Sequence, residues 1–245
     1  MCHSDDSRPP GPPLRGEVGV TMQLELTAAD GNRFAAYRAT PRDEPRAGMV
    51  ILPDIRGLHP FYKALAKRFA EAGYDAIAFD FFGRTAGVGE RDEDFDWKEH
   101  VGQVTPAHVR ADAQAALEKI QSPGRSAFTV GFCFGGGHSW RLAATDIPIS
   151  GAIGFYGRPA LVSEAVDDLR APLLMLIAGN DAATPLEDFR ELDARLSDAG
   201  KEHEMHVYEG APHSFFDRAF DEWQDACLDA WERILAFTEE QATNT

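Results

Sequence analysis

The sequence predicts an α/β fold, a mostly parallel central sheet with helices on both faces and an antiparallel hairpin at its N-terminal end. Short apolar runs alternate along the chain with amphipathic stretches whose apolar residues recur every three, four or seven positions. Most of the runs are apolar throughout rather than every second residue, the pattern of strands covered on both faces. The chain has 245 residues, 44% of them apolar, which suits one α/β unit with a single core.

The elements follow in order. Residues 1–17 carry Pro9, Pro10, Pro12 and Pro13 among Gly, Ser and charges, a composition that predicts a flexible tail ahead of one domain over 18–245. Val20–Leu26 and Arg33–Thr40 flank the turn signal Asp30-Gly31-Asn32 and predict the hairpin. Buried strands are expected at Met49–Leu52, Ala76–Phe79, Phe128–Val130, Gly151–Phe155, Leu173–Ile177 and Met205–Tyr208. Helices are expected over Phe61–Ala72, along the faces Val109/Ala113/Ala116/Leu117/Ile120 and Phe189/Leu192/Leu196/Ala199, and finally along Trp223/Cys227/Ala230/Ile234/Phe237. Thr85–Gln103 breaks the alternation. Its charge, in GERDEDFDWKEH, points to a solvated acidic connection or to a lid carrying Phe95 and Trp97.

Charge and cysteine usage narrow the partners. Forty acidic against 24 basic side chains give a formal charge of −16, which argues against nucleic-acid or anionic-membrane partners, since both require a basic face. There is no apolar run of membrane-spanning length and no basic-then-apolar leader pattern, so a cytoplasmic location is expected. Cys2, Cys133 and Cys227 are odd in number and far apart, which suits a reducing compartment. Cys2 reads as an exposed thiol and Cys227 as a core residue. His59, His100, His203 and His206 show no metal-ligand spacing, so neither metal nor other cofactor is expected.

Chemistry concentrates in SAFTVGFCFGGGHSWRLAA, residues 126–144. An apolar strand runs into Gly131-Phe132-Cys133-Phe134-Gly135 and a helical pattern follows at once. This is the layout of a nucleophile elbow with cysteine at its tip, small residues two before and two after letting the strand turn sharply. Taken alone, Cys133 reads equally well as a small buried hydrophobe. Two other loops supply partners: Asp181 just beyond the run LLMLIAGN, and His213 between the last strand and the last helix. Nucleophile, acid and base thus follow in the chain order of a hydrolase triad, each at a strand end. Alternatively, Asp181 is a turn or cap residue and His213 a polar loop residue. His138 reads as a packing or surface histidine.

With these residues the chain closely resembles the dienelactone hydrolase family, α/β-hydrolases also called carboxymethylenebutenolidase-like proteins, from about Thr21 to the last helix. The resemblance implies a Cys133, His213, Asp181 triad on an α/β-hydrolase fold. It implies hydrolysis of small esters or lactones through a thioacyl-enzyme; a monomer or small homo-oligomer is expected. The family holds a glutamate after the first central strand beside the resting thiol. In LPDIRG that place is taken by Asp54, one methylene shorter, which either shares in priming the thiol or caps its own loop. The backbone N–H groups of Ile55 and Phe134 become the expected oxyanion donors.

The resemblance also places Arg84 of FDFFGR where the family binds a substrate carboxylate, although Arg84 reads equally as a tie for the following loop. Where a second arginine would follow the base, Asp217 stands four residues after His213 and Arg218 five. Tyr156 and Phe215 are expected among the aromatics lining the pocket. The same triad would also serve a thioesterase or acyltransferase, and the fold alone would serve a non-catalytic ligand-binding protein.

Overall fold

The computed structural model describes residues 8–13, 16–217 and 221–243. Eight strands form one sheet in the order β1-β2-β4-β3-β5-β6-β7-β8. They are β1 (Val18–Thr27), β2 (Arg33–Pro41), β3 (Ala47–Leu52), β4 (Tyr74–Phe79), β5 (Ala127–Phe132), β6 (Gly151–Phe155), β7 (Leu173–Asn180) and β8 (His203–Pro212). β1 pairs antiparallel with β2, and β2 antiparallel with β4; every other pair is parallel. This is the expected α/β-hydrolase architecture with its opening hairpin.

The principal helices are α1 (Pro60–Glu71), α4 (Pro106–Ile120), α5 (Phe134–Leu142), α7 (Leu186–Asp198) and α8 (Gln224–Thr243). Shorter ones are α2 (Gly83–Ala86), α3 (Lys98–Val101) and α6 (Ala160–Ser163). Successive residues of a strand point to opposite faces, and the core divides accordingly. Met49 and Ile51 of β3 pack with α1 and α8, while Val50 and Leu52 pack with α4. At the other end of the sheet Leu173, Met175 and Ile177 meet α7 and Trp140. Helix starts carry their caps: Thr105 bonds the His108 N–H in a capping box before Pro106, and the His59 ring accepts the Phe61 N–H ahead of α1.

Two segments differ from the sequence expectation. The proline-rich head, over its described part, lies on the domain rather than trailing from it. Pro9, Pro10 and Pro12 are buried, the Trp231 indole N–H donates to the Pro10 carbonyl, and the Gly16 N–H donates to the Glu71 carbonyl. Proline rings are apolar and lose little chain entropy on ordering, so a short prolyl segment can dock where a flexible one would not. Residues 1–7, with Cys2, lie outside the described residues.

The second is 85–103. Asp92, Glu93 and Asp94 are exposed as expected, but the segment is pinned from within. The buried guanidinium of Arg91 donates to Asp80 at 2.9 Å and to the Gly87 carbonyl at 2.6 Å, and lies 4.5 Å from the Phe95 ring centroid. Phe95 in turn stacks on His100.

Buried histidines give the fold a pH dependence. Burial, helped by Arg56, pushes His59 down to about 4, and burial with Arg141 does the same to His138. The folded state therefore prefers them neutral, while the unfolded chain begins to take up protons near the ordinary value of 6.5. Stability is full above that value and is lost as pH falls toward 4. At pH 5 each histidine is expected to cost about 2 kcal/mol. The urea midpoint should fall between pH 7 and pH 5, and His138→Phe should remove about half of that fall.

Candidate active site

The end of β5 and the start of α5 meet at Cys133, whose φ of 53° and ψ of −113° lie outside the regions that L-residues favour. Contact explains the flanking glycines. A Cβ on Gly131 would sit 2.0 Å from the Gly135 carbonyl oxygen, and one on Gly135 would sit 2.2 Å from that of Leu52. Only bare backbone lets the first turn of α5 press against the end of β3. The Cys133 N–H donates to the Phe155 carbonyl at 3.0 Å, tying the elbow to the end of β6. The thiol makes no cap bond to α5, and the residue is half-buried. It stands at the amino end of α5, the positive end of the helix dipole.

Asp181 follows β7 and His213 follows β8, and the structure brings them together. The His213 Nδ1 lies 2.7 Å from Asp181 Oδ2. The Asp181 side chain is 0% exposed, and its Oδ1 accepts the Ala183 N–H at 2.7 Å, which orients the carboxylate. The His213 side chain is 19% exposed, with Nδ1 committed to Asp181.

The loop after β3 carries Asp54 and Ile55. Asp54 is buried, accepts the Arg56 backbone N–H at 2.9 Å and pairs with the Arg56 guanidinium at 3.1 Å. The loop cap weighed from the sequence is therefore present, joined by an ion pair that the sequence reading passed over although Arg56 is two residues away. The Phe134 N–H opens α5, where the first N–H groups have no acceptor within the helix.

Three positions differ from what the sequence predicts. Arg84 is engaged elsewhere: its guanidinium bonds Asp30 of the hairpin turn and the buried Asp112 of α4, the latter at 2.5 Å. Asn32 joins the same cluster through Asp112 at 2.9 Å. Two converging carboxylates hold a planar guanidinium more strongly than open solvent does, so Arg84 ties the loop to the hairpin. Phe215 is fully buried, its ring centroid 4.7 Å from that of Tyr208, and is core rather than pocket wall.

Tyr156 is only 1% exposed, with its ring centroid 4.8 Å from that of His213 and its O–H donating to Asp217 at 3.3 Å. Burial, then the nearby Asp217, Tyr62, Cys133 and Asp54, push its ionisation well above the ordinary value. Arg218 lies outside the described residues.

Ser214, which the sequence reading did not single out, is buried at a φ of 64°, and its Oγ has no hydrogen-bond partner among the described residues. Tyr156 has a φ of 37°. Cys133, Tyr156 and Ser214 are the non-glycine residues of positive φ among the described residues, one at the elbow, one just after β6 and one beside His213. His138 is buried with its ring 4.6 Å from that of Phe134, a packing residue. Among the described residues no group of three or more His, Cys, Asp or Glu side chains could hold a metal ion, and no helix is long and apolar enough to cross a membrane.

An eight-stranded, mostly parallel sheet with a cysteine elbow and an acid–base pair at neighbouring strand ends defines a hydrolase of the α/β class. Residues 34–241 match the Dienelactone hydrolase family, and the chain belongs to that family. It is 29% identical to a "Putative carboxymethylenebutenolidase" of Saccharolobus solfataricus, over 85% of this chain and 95% of that one. An Escherichia coli K12 relative of the same description is 26% identical, over 93% of this chain and 92% of its own. Among solved structures, a "Putative Dienelactone Hydrolase" from Klebsiella pneumoniae superposes with a TM-score of 0.75 at 28% identity, covering 89% of this chain and 98% of that one.

The elbow contacts yield a stability test. Gly135→Ala is expected to cost about 3 kcal/mol or more, because its Cβ meets backbone rather than a movable side chain. Gly102→Ala, with nothing within 4 Å of its Cβ, should stay within about 0.5 kcal/mol of the native protein. Urea denaturation of both variants compares them directly.

Proposed function

We propose that this member of the family hydrolyses small esters or lactones with Cys133 as nucleophile, His213 as proton carrier and Asp181 as its orienting acid. The observation that carries the reading is the 2.7 Å contact between His213 Nδ1 and the buried Asp181. That contact fixes the tautomer in which Nε2 can take a proton.

The His213 Nε2 removes the thiol proton, and the thiolate electron pair forms a sulfur–carbon bond to the substrate carbonyl. The carbonyl oxygen takes up the negative charge, received by the N–H groups of Phe134 and Ile55. As the tetrahedral adduct collapses, the carbon–oxygen bond to the leaving group breaks and that oxygen takes the proton from the imidazolium. Water then gives its proton to His213 and attacks the thioester. The second adduct collapses, its bond to sulfur breaks, the acid is released, and the expelled thiolate takes the proton back from the imidazolium.

Asp54 has a supporting part. Its hold on the Arg56 N–H closes the turn that presents Ile55, so it shapes the oxyanion loop. The relatives described as carboxymethylenebutenolidases point to an enol lactone, whose leaving enol would stay tethered to the acyl group. Because Arg84 is already held by Asp30 and Asp112, it is not assigned to a substrate carboxylate here. A reducing cytoplasmic compartment, favoured by the cysteine pattern, would keep the thiol available.

Cys133→Ala should reduce kcat/KM on p-nitrophenyl acetate by about a thousandfold or more while leaving the urea midpoint nearly unchanged. Activity retained in this variant would overturn the assignment. A rapid burst of p-nitrophenol equal to the enzyme concentration, or its absence with steady turnover, would show which half of the reaction is slow.

A further inference from the structure

We propose that Tyr156 is the positioning residue of this site, a buried phenol that holds the His213 imidazole against Asp181 while Asp217 holds the phenol. The inference rests on the triad reading above and assigns Tyr156 a part that the sequence did not suggest. With 1% of its surface exposed, Tyr156 has almost none to offer a substrate.

Its backbone is tied on both sides. The Phe155 carbonyl just before it accepts the Cys133 N–H, and its own N–H donates to the Leu176 carbonyl of β7, the strand that leads to Asp181. The left-handed φ of 37° is costly for a tyrosine, so the surroundings must over-determine it. These bonds hold the ring origin fixed relative to both the nucleophile and the acid.

The ring then meets the base. At 4.8 Å between centroids and 55° between planes, it covers one side of the imidazole and blocks rotation in that direction. The phenol O–H donates to Asp217 Oδ2, and the Asp217 N–H donates at 3.2 Å to the carbonyl of Ser214, the residue after the base. A closed circuit results: elbow backbone, Tyr156, Asp217, Ser214, His213. Removing the phenol oxygen opens it at the link between Tyr156 and the turn that carries His213. The imidazole then gains freedom, which should lower kcat more than it raises KM, since the substrate loses no contact.

The test uses the full chain and two readouts. In the native protein the His213 Nδ1 proton, bonded to Asp181, should give a far-downfield proton NMR signal, assigned by its loss in His213→Gln. In Tyr156→Phe that signal should broaden into exchange with water, and kcat on p-nitrophenyl acetate should fall about tenfold or more while KM stays within about twofold. A sharp signal with unchanged kcat in Tyr156→Phe would overturn the proposal. So would a loss expressed mainly in KM, which would make Tyr156 a substrate contact.

Should Tyr156→Phe fail to fold, Asp217→Asn and Asp217→Ala ask the same question. The amide oxygen of Asn can still accept the phenol hydrogen, so the signal should persist in Asp217→Asn and be lost in Asp217→Ala. Equal behaviour of the two would contradict the circuit. The NMR readout needs no substrate. If the native protein turned over no ester, the hydrolase reading would fail while the positioning of His213 was still decided.

Discussion

The approach of α5 to the end of β3, so close that a Cβ on Gly135 would overlap the carbonyl oxygens of Leu52 and Pro53, is the constraint on which the site depends. It forces the chain to turn at Cys133 within one residue and to accept a φ of 53° there. The turn lifts the thiol to the C-terminal edge of the sheet, at the amino end of a helix. It also draws in β3, whose following loop carries Asp54 and Ile55. A looser contact would leave room for ordinary side chains at positions 131 and 135 but would let Cys133 move relative to the loop that carries Asp54 and Ile55. Close packing at this point and a fixed elbow are thus the same demand made on the same glycines.

Strain gathers at the candidate site. Cys133, Tyr156 and Ser214 adopt left-handed backbone conformations, each costing about 1–3 kcal/mol, at the elbow, after β6 and beside His213. The cost is offset by a dense aromatic core beneath them. The Phe132 and Phe155 rings stack at 4.7 Å, and Phe155 meets Phe216 at 4.5 Å. Buried charge is handled similarly: Asp54 has Arg56, Asp80 has Arg91, and Asp112 has Arg84 and Asn32. These pairs lie in loops that follow β3 and β4 or on α4, so they set where the loops go. A buried carboxylate left alone would cost more than the fold could spare.

Much of this architecture can be read in the sequence because it rests on local periodicity. Apolar runs such as Leu173–Ile177 must be strands covered on both faces, and the spacing of Val109, Ala113 and Ala116 must be one face of a helix. The elbow is visible because the contact of Gly131 with Gly135 is a local steric need. What escapes is partner choice over long separations. Nothing near Arg84 in the chain announces that it will meet Asp30 and Asp112, 54 and 28 residues away. The burial of Tyr156 beneath His213 depends on how the ends of β6 and β8 come together in space, which no single segment encodes. The proline-rich head, polar enough to look like a tail, docks because Trp231 offers its carbonyl an indole N–H. Segment 85–103 looks like a solvated connection because Asp80, the partner that anchors Arg91, precedes it.

The account stands or falls on covalent chemistry at one sulfur. Intact-mass and peptide mass spectrometry of the native protein, quenched with acid during turnover of p-nitrophenyl acetate, tests that directly. The account predicts a fraction of molecules heavier by one acetyl group, carried on the peptide containing Cys133 and released by hydroxylamine at neutral pH, as a thioester should be. An adduct carried on any other residue, or one still formed by Cys133→Ala, would contradict it.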